Sequence, residues 1–181
     1  MYFCGRLWEL RHRGLGPLFF DTVEMFDKEH IHKVIGEVIG ESDFFLVEVH
    51  VTKGNLIQVF LDHTIGITVD DCATFSRKIE EKLNREEEDF ELQVSSPGLG
   101  QPLKVIRQYH KAVGQLVNLT LKDDSIIRGT LESVKTSEPG TDPELIIRLA
   151  GTKKKPAPAV PVHIEIGQIK TAKIEIDFNK V

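Results

Sequence analysis

The sequence predicts an α+β protein in two parts, an αββαβ two-layer domain followed by a small β-barrel. Three observations support this fold class. Helical and strand periods alternate up to about residue 94, prolines and glycines then interrupt the pattern, and short strand-like segments follow. We expect the first domain at 25–96, a linker at 97–103 and the barrel at 104–181.

The first domain begins with a helix predicted from Asp27. Its apolar residues are spaced by three and four, and they are Ile31, Val34, Ile35, Val38 and Ile39. Residues 44–51 then alternate as a strand with one buried face, formed by Phe45, Val47, Val49 and Val51. A turn at 53–55 leads to a second alternating strand at 56–62, and the pair indicates a β-hairpin.

Thr68 marks the start of a second helix, because it can cap the helix while Asp71 returns a hydrogen bond. Asp70 and Asp71 also lie in the first turn, where the helix dipole favours negative charge. The apolar stripe of this helix is Cys72, Phe75, Ser76, Ile79 and Leu83. An acidic connector at 86–89 leads to a third strand at 90–94.

Prolines and glycines at 95–103 mark a linker, and a short helix ending at Gly114 follows it. From there the apolar period is two. The predicted strands are 116–121, 126–134, 145–149, 162–166 and 171–178. Short strands joined by tight turns indicate a strongly bent barrel.

Composition narrows the class of protein. The two cysteines, Cys4 and Cys72, make neither a disulfide framework nor a four-ligand zinc site, so we expect a reducing, cytoplasmic location. No stretch approaches the roughly 18 apolar residues of a membrane span, so no membrane partner is expected.

The net charge of −5 is divided unevenly along the chain. Residues 25–98 hold 16 acidic and 7 basic side chains, whereas residues 99–181 hold 9 acidic and 13 basic ones. Such a division indicates a ribosomal partner, with RNA facing the basic half and a basic protein facing the acidic half. An ordinary solvated surface remains an alternative explanation.

Residues 1–24 show neither a helical nor a strand-like spacing of apolar residues. Pro17, Phe19 and Phe20 also fit a signal peptide poorly. Met25 opens a segment that has the pattern of folded protein. We therefore hypothesise that Met25 is the natural start and that residues 1–24 are not native. A disordered N-terminal arm is the competing interpretation.

Several segments match one known family in order. They are Phe-Phe-Leu-Val-Glu-Val at 44–49, Val-Phe-Leu-Asp at 59–62, Gly-Ile-Thr-Val-Asp-Asp-Cys at 66–72 and, most specific, Glu-Leu-Gln-Val-Ser-Ser-Pro-Gly-Leu at 91–99. From about Asp27 onward the chain resembles the RimP family of ribosome maturation factors. The resemblance implies a KH-like first domain, an Sm-like barrel, no cofactor and binding to the free small ribosomal subunit, near its rRNA and a basic ribosomal protein. We expect a monomer that assists assembly without catalysis.

The chain departs from the family pattern at two places. Gly100 and Gln101 stand where the family commonly has Asp-Arg, which removes an expected phosphate or carboxylate contact. The late strand at 169–172 lacks the arginine-glycine pair of typical RNA-binding Sm proteins, so no Sm-type base pocket is expected.

Three groups of residues are candidates for the binding site. The candidate subunit-binding linker residues are Ser95, Ser96, Pro97, Gly98, Leu99 and Pro102, which alternatively serve only to set the angle between the domains. The candidate RNA contacts are Lys122, Arg128, Lys153, Lys154 and Lys155, with Lys104 and Lys111 as further phosphate contacts. A solvated surface is the alternative for each of these lysines.

An acidic group with one histidine supplies the third set. Asp62, His63, Asp70 and Asp71 could in principle serve acid–base chemistry or hold a metal, but capping and turn formation account for them. Because the family shares the Asp-Asp-Cys, we predict that Asp62, Asp70 and Asp71 contact a basic ribosomal protein. No catalytic or metal-binding residue and no small-molecule substrate is expected.

Two other functions compete with ribosome maturation. A stand-alone RNA-binding protein using the Sm-like barrel predicts tight binding to naked single-stranded RNA and a ring oligomer. A hydrolase using the aspartates predicts metal dependence and loss of activity in Asp71→Ala.

Overall fold

The computed structural model describes residues 28–52, 55–83, 90–136, 142–151 and 160–175. The extension at 1–24, the acidic connector at 86–89 and the lysines at 153–155 lie outside this described part, so the predictions made for them are not tested. No helix among the described residues is long and apolar enough to span a membrane.

The elements of the N-terminal half follow the predicted αββαβ order. They are α1 (Lys28–Ile39), β1 (Phe44–Val51), β2 (Leu56–His63), α2 (Val69–Leu83) and β3 (Glu91–Ser95). The sheet order is β1-β2-β3, with β1 antiparallel and β3 parallel to β2. Both helices pack against this sheet, and the predicted hairpin is confirmed.

The first core is formed by the apolar stripes of α1 and α2 and by the central strand β2. Ile31 and Ile35 of α1 and Ile79 of α2 are fully buried against Ile57 and Leu61 of β2. In the predicted stripe of α2, Phe75, Ile79 and Leu83 are buried, whereas Cys72 and Ser76 are only partly buried. Burial raises the pKa of the Cys72 thiol.

A β-bulge in β1 changes which residues face this core. The register moves from Leu46 opposite Leu61 to Glu48 opposite Phe60, so Val47 is an extra residue. Before the bulge Phe44 and Leu46 pack against the first core, and after it Val49 does. The predicted residues Phe45, Val47 and Val49 are buried, but they do not share one face, because the bulge moves the alternation to the other side of the sheet.

The C-terminal half begins with a short helix and continues with five strands. They are α3 (Ile106–Lys111), β4 (Leu116–Leu121), β5 (Ile126–Lys135), β6 (Glu144–Leu149), β7 (Val162–Glu165) and β8 (Ile169–Ile174). The sheet order is β7-β6-β5-β4-β8, and all its neighbours are antiparallel. Its core is separate from the first and contains Leu119, Leu131, Leu145 and Ile147.

The α+β class is thus confirmed, but a closed barrel is not found. Among the described pairings, β7 and β8 are the two edges of the second sheet. A short 3-10 helix, Ile166–Gln168, leads directly from β7 to β8. The chain passes there from one edge strand of the sheet to the other, where the sequence predicted only a turn between strands.

Candidate functional site

An open cleft with a volume of about 780 Å³ lies where the two halves meet. Linker residues Ser96, Pro97, Gly98 and Leu99 line it, and so does Asp62 of the first half. The other candidate linker residues lie outside it, since Ser95 ends β3 opposite Phe60 and Pro102 is partly buried. The structure therefore brings four of the six linker candidates together with one of the acidic candidates.

The linker presents Leu99 at the tip of a tight turn. The backbone N–H of Gln101 donates to the carbonyl of Gly98 at 3.1 Å, and Gly100 has a φ of 77°. A positive φ at the third residue of a turn favours glycine, so Gly100 adopts this geometry without the strain that a side chain at this position would bring. Leu99 is 91% exposed as a result of its position in the turn.

The far end of the linker is attached to the second sheet. The backbone N–H of Leu103 donates to the carbonyl of Ala172 on β8 at 2.8 Å. The segment between β3 and α3 is thus held by hydrogen bonds at its turn and at its end, and it connects the halves as a structured element rather than as a loose tether.

Exposed apolar side chains lie in or next to the segments that line this cleft. Ile65 is 90% exposed and Val69 is 84% exposed, and between them lie Gly66 and Ile67, which line the cleft. Together with Leu99, which itself lines the cleft, they provide large exposed apolar groups on two segments of the chain that contribute to its lining. Several exposed apolar groups at one cleft are typical of a protein-binding surface. Sequence analysis missed Ile65 and Val69, although an apolar residue outside every stripe is a usable signal.

Asp62 is the buried acidic residue of the cleft wall. Its exposed fraction is 8%, and its Oδ1 accepts hydrogen bonds from Lys111 Nζ at 2.7 Å and from the His63 backbone N–H at 2.8 Å. His63 is also engaged, since its Nδ1 accepts from the Ile65 backbone N–H at 3.1 Å. Both residues therefore shape the end of β2 and the loop after it.

Thr68 and Asp71 form the reciprocal cap that the sequence predicts. The Thr68 hydroxyl and backbone N–H both donate to Asp71 Oδ2, at 2.6 and 2.9 Å, and the Asp71 N–H donates to Thr68 Oγ1 at 3.2 Å. These bonds, the hydroxyl one first, lower the pKa of Asp71. Asp70 in the same turn is exposed. Of the three protein-contact candidates, Asp70 is therefore the most exposed, Asp71 is partly exposed and Asp62 is buried.

The candidate RNA contacts differ in the hydrogen bonds and ion pairs that they make within the chain. Lys122 is exposed at the turn after β4, and its backbone N–H donates to the Gln168 carbonyl at 2.9 Å. Arg128 instead makes two hydrogen bonds with the Glu175 carboxylate, so its charge is balanced within the chain. Lys173, which sequence analysis missed, is exposed opposite Asn118 and lines a shallow groove of about 320 Å³.

Lys104 and Lys111, the further phosphate contacts expected from the sequence, both form ion pairs within the chain. Lys104 pairs with Glu48 of β1, and Lys111 pairs with Asp62 of β2. Both lysines connect the second half to the first. Their role is not readable from the sequence, because each partner lies about fifty positions away along the chain.

Comparison with known proteins gives one consistent result. Residues 34–100 match the family model of the RimP N-terminal domain. A protein of Porphyromonas gingivalis named ribosome maturation factor RimP is 32% identical over 148 residues, covering 82% of this chain and 97% of the relative. A protein of the same name from Christiangramia forsetii is 31% identical over 156 residues, covering 83% and 99%. Another from Prosthecochloris aestuarii is 30% identical, covering 76% and 86%.

Proposed function

The chain belongs to the RimP family of ribosome maturation factors, and we propose that it acts in ribosome maturation by binding the free small ribosomal subunit without catalysis. The observation that carries this proposal is the cleft between the two halves, with Leu99, Ile65 and Val69 exposed beside it. Exposed apolar groups at a concavity gain free energy when a partner covers them.

In this proposal the two halves are separate domains joined by a linker. The first, residues 25–96, is the KH-like domain, the linker is 97–103, and residues 104–181 form the Sm-like domain. Two core clusters without shared residues support this division. The single sheet of the second half and its five-strand order are compatible with an Sm-like architecture.

The partner at the cleft is a basic ribosomal protein. The first half carries the acidic excess, and the exposed Asp70 adjoins Val69 at the cleft mouth. An apolar segment flanked by lysine or arginine would complement both features. Small-subunit rRNA is the partner of the second half, where Lys122, Lys173 and the lysines at 153–155 supply sequence-independent phosphate contacts.

Binding alone is enough for the maturation role. A protein that prefers one conformation of the immature subunit shifts the population of subunits toward that conformation. Release follows when the mature particle no longer offers the same surface. In this mechanism the protein acts in the cytoplasm as a monomer and needs no cofactor.

The proposal is tested by sedimentation of the tagged full chain in cell extract. The protein should travel with free small subunits and be absent from complete ribosomes, and rising salt should release it as phosphate contacts are lost. The variant Leu99→Ser should weaken this association roughly tenfold or more, as expected for a central apolar contact. Val113→Ser, which removes an exposed valine that lines neither the cleft nor the groove beside Lys173, is the control and should bind as the unaltered chain does.

Two outcomes contradict the proposal. Sedimentation at the top of the gradient, with tight binding of naked single-stranded RNA, would favour the stand-alone RNA-binding alternative. Equal binding by the Leu99→Ser and unaltered chains would show that the cleft mouth is not the contact surface.

A further inference from the structure

Three basic residues just before and within α3 reach across to the first half. Lys104 Nζ donates to the Glu48 carboxylate, and Arg107 Nη1 donates to the Phe44 carbonyl at 3.3 Å. Lys111 Nζ donates to Asp62 Oδ1 at 2.7 Å. Residues 107 and 111 are four apart and therefore lie on one face of the helix. All the acceptors belong to β1 and β2, the antiparallel pair of the first sheet.

The opposite face of α3 is built into the second half. Tyr109 and Ala112 belong to the second core. The side chain of Gln108 is buried, and its Oε1 accepts hydrogen bonds from the backbone N–H groups of Lys104 and Val105. After the helix, the Gly114 N–H donates to the Leu131 carbonyl on β5 at 2.7 Å. The segment at 104–114 is thus attached firmly to the second half, and it carries the basic residues that contact the first half.

The contacts with the first half differ in how deeply they are buried. Lys111 and Asp62 have side chains 28% and 11% exposed, so solvent and salt screen this pair weakly. Lys104 and Glu48 are 43% and 27% exposed and lie nearer the rim. Between them the Arg107 guanidinium lies 5.8 Å from the centre of the Phe45 ring, which is itself 5% exposed.

We propose that Lys104, Arg107 and Lys111 form a clasp that fixes the angle between the two halves and therefore the width of the cleft. The clasp also couples the angle to binding, because Asp62 and Lys111 both line the cleft. A basic group of a bound partner would compete with Lys111 for Asp62 and loosen the clasp. Only this second consequence depends on the proposed function.

The clasp is tested by 15N relaxation of the full-length protein in solution, without any ribosomal component. Halves held by the clasp tumble together, so amides of both sheets should give one rotational correlation time. In the triple variant Lys104→Met, Arg107→Met and Lys111→Met, the halves should tumble separately, with two shorter correlation times. Methionine keeps much of the aliphatic stem of lysine while removing the charge.

Matched controls remove ion pairs that lie within one half. Lys82→Met breaks the Lys82–Glu37 pair of α2 and α1, and Arg148→Met breaks the Arg148–Glu132 pair of β6 and β5. Both variants should keep the single correlation time. Amide shifts of the core residues Ile57 and Leu131 report whether each half of the triple variant remains folded.

A single, unchanged correlation time in the folded triple variant would overturn the proposal, as would separate tumbling of the unaltered chain at low salt. If the triple variant does not fold, the single rim variant Lys104→Met and a salt titration of the unaltered chain replace it. Both should increase motion between the halves, and no change in either refutes the clasp. Loss of subunit binding with an intact clasp would instead count against the proposed function alone.

Discussion

Thr68 and Asp71 hold the first turn of α2 through hydrogen bonds in both directions. Replacing Thr68 by alanine leaves the backbone N–H of Asp71 without its acceptor. Thr68→Ala should therefore lower the free energy of unfolding by about 1 kcal/mol. Urea unfolding followed by circular dichroism measures the change, and Thr52→Ala, at an exposed position before the hairpin turn, is the control.

The contribution of this cap to folding stability changes with pH in a definite direction. The pKa of Asp71 is lowered in the folded protein, first by the hydrogen bond from the Thr68 hydroxyl. A carboxylate with a lowered folded pKa stabilises the fold above its unfolded pKa of about 3.9, and this contribution is lost as the pH falls through the folded value. Asp71→Asn should therefore reduce the loss of stability between neutral and acidic pH; an unchanged profile would contradict this assignment.

Single residues show which roles the sequence could predict. The cap at Thr68 and Asp71 is local, with a spacing of three, and it was predicted correctly. The contact of Asp62 with a partner protein stays a prediction, whereas its burial and its pairing with Lys111, 49 positions away, could not be predicted from the sequence. The glycine at 100 was recognised as a departure from the family, yet its positive φ and the exposed Leu99 before it depend on the turn that the structure shows.

Two glycines, one in a strand and one in a helix, have opposite surroundings. A Cβ on Gly129 of β5 would collide with the carbonyl oxygen of Arg148 and with the Ile147 side chain on β6, the neighbouring strand. Gly129→Ala should therefore cost about 1–3 kcal/mol of unfolding free energy through overpacking. Gly36 lies exposed within α1, where a Cβ meets nothing within 4 Å. Gly36→Ala should instead stabilise the protein by about 1 kcal/mol.

Thermal unfolding of the two alanine variants checks this contrast. The melting temperature should fall for Gly129→Ala and rise for Gly36→Ala relative to the unaltered chain. Two shifts of the same sign would mean that strand spacing at β5 and β6 differs from the structure described.

The apolar spacing of the sequence predicted which segments form strands and helices. It did not predict which residues of β1 lie on each face of the sheet. Its alternation of Phe45, Val47, Val49 and Val51 is compatible with a single buried face. The bulge at Val47 divides those residues between two sides of the sheet, and no residue type in the segment marks it. Phe45 consequently lies beneath Arg107 of α3 instead of in the first core. Whether a sheet closes into a barrel likewise depends on contacts between segments that are distant in the sequence.

For the molecule as a whole, the bulge and the clasp together make the first half depend on the second. Phe45 is 5% exposed although it does not belong to the first core cluster, and the guanidinium of Arg107 covers its ring. A fragment of residues 25–103 lacks α3 and would expose this phenylalanine. Exposure of one such side chain costs about 1.5–3 kcal/mol, so the fragment should unfold at a lower temperature than the same half within the full chain.

The substitution Phe45→Thr separates this explanation from a general effect of truncation. In the full chain it removes a buried ring and should lower the free energy of unfolding by about 3 kcal/mol or more. In the fragment, where the ring is already exposed, it should cost little and should reduce aggregation, because it removes an apolar surface group. Calorimetry of both forms measures the stability changes, and light scattering of the fragment measures its aggregation. If Phe45→Thr destabilised both forms equally, Phe45 would be buried within the first half itself, and α3 would not be its cover.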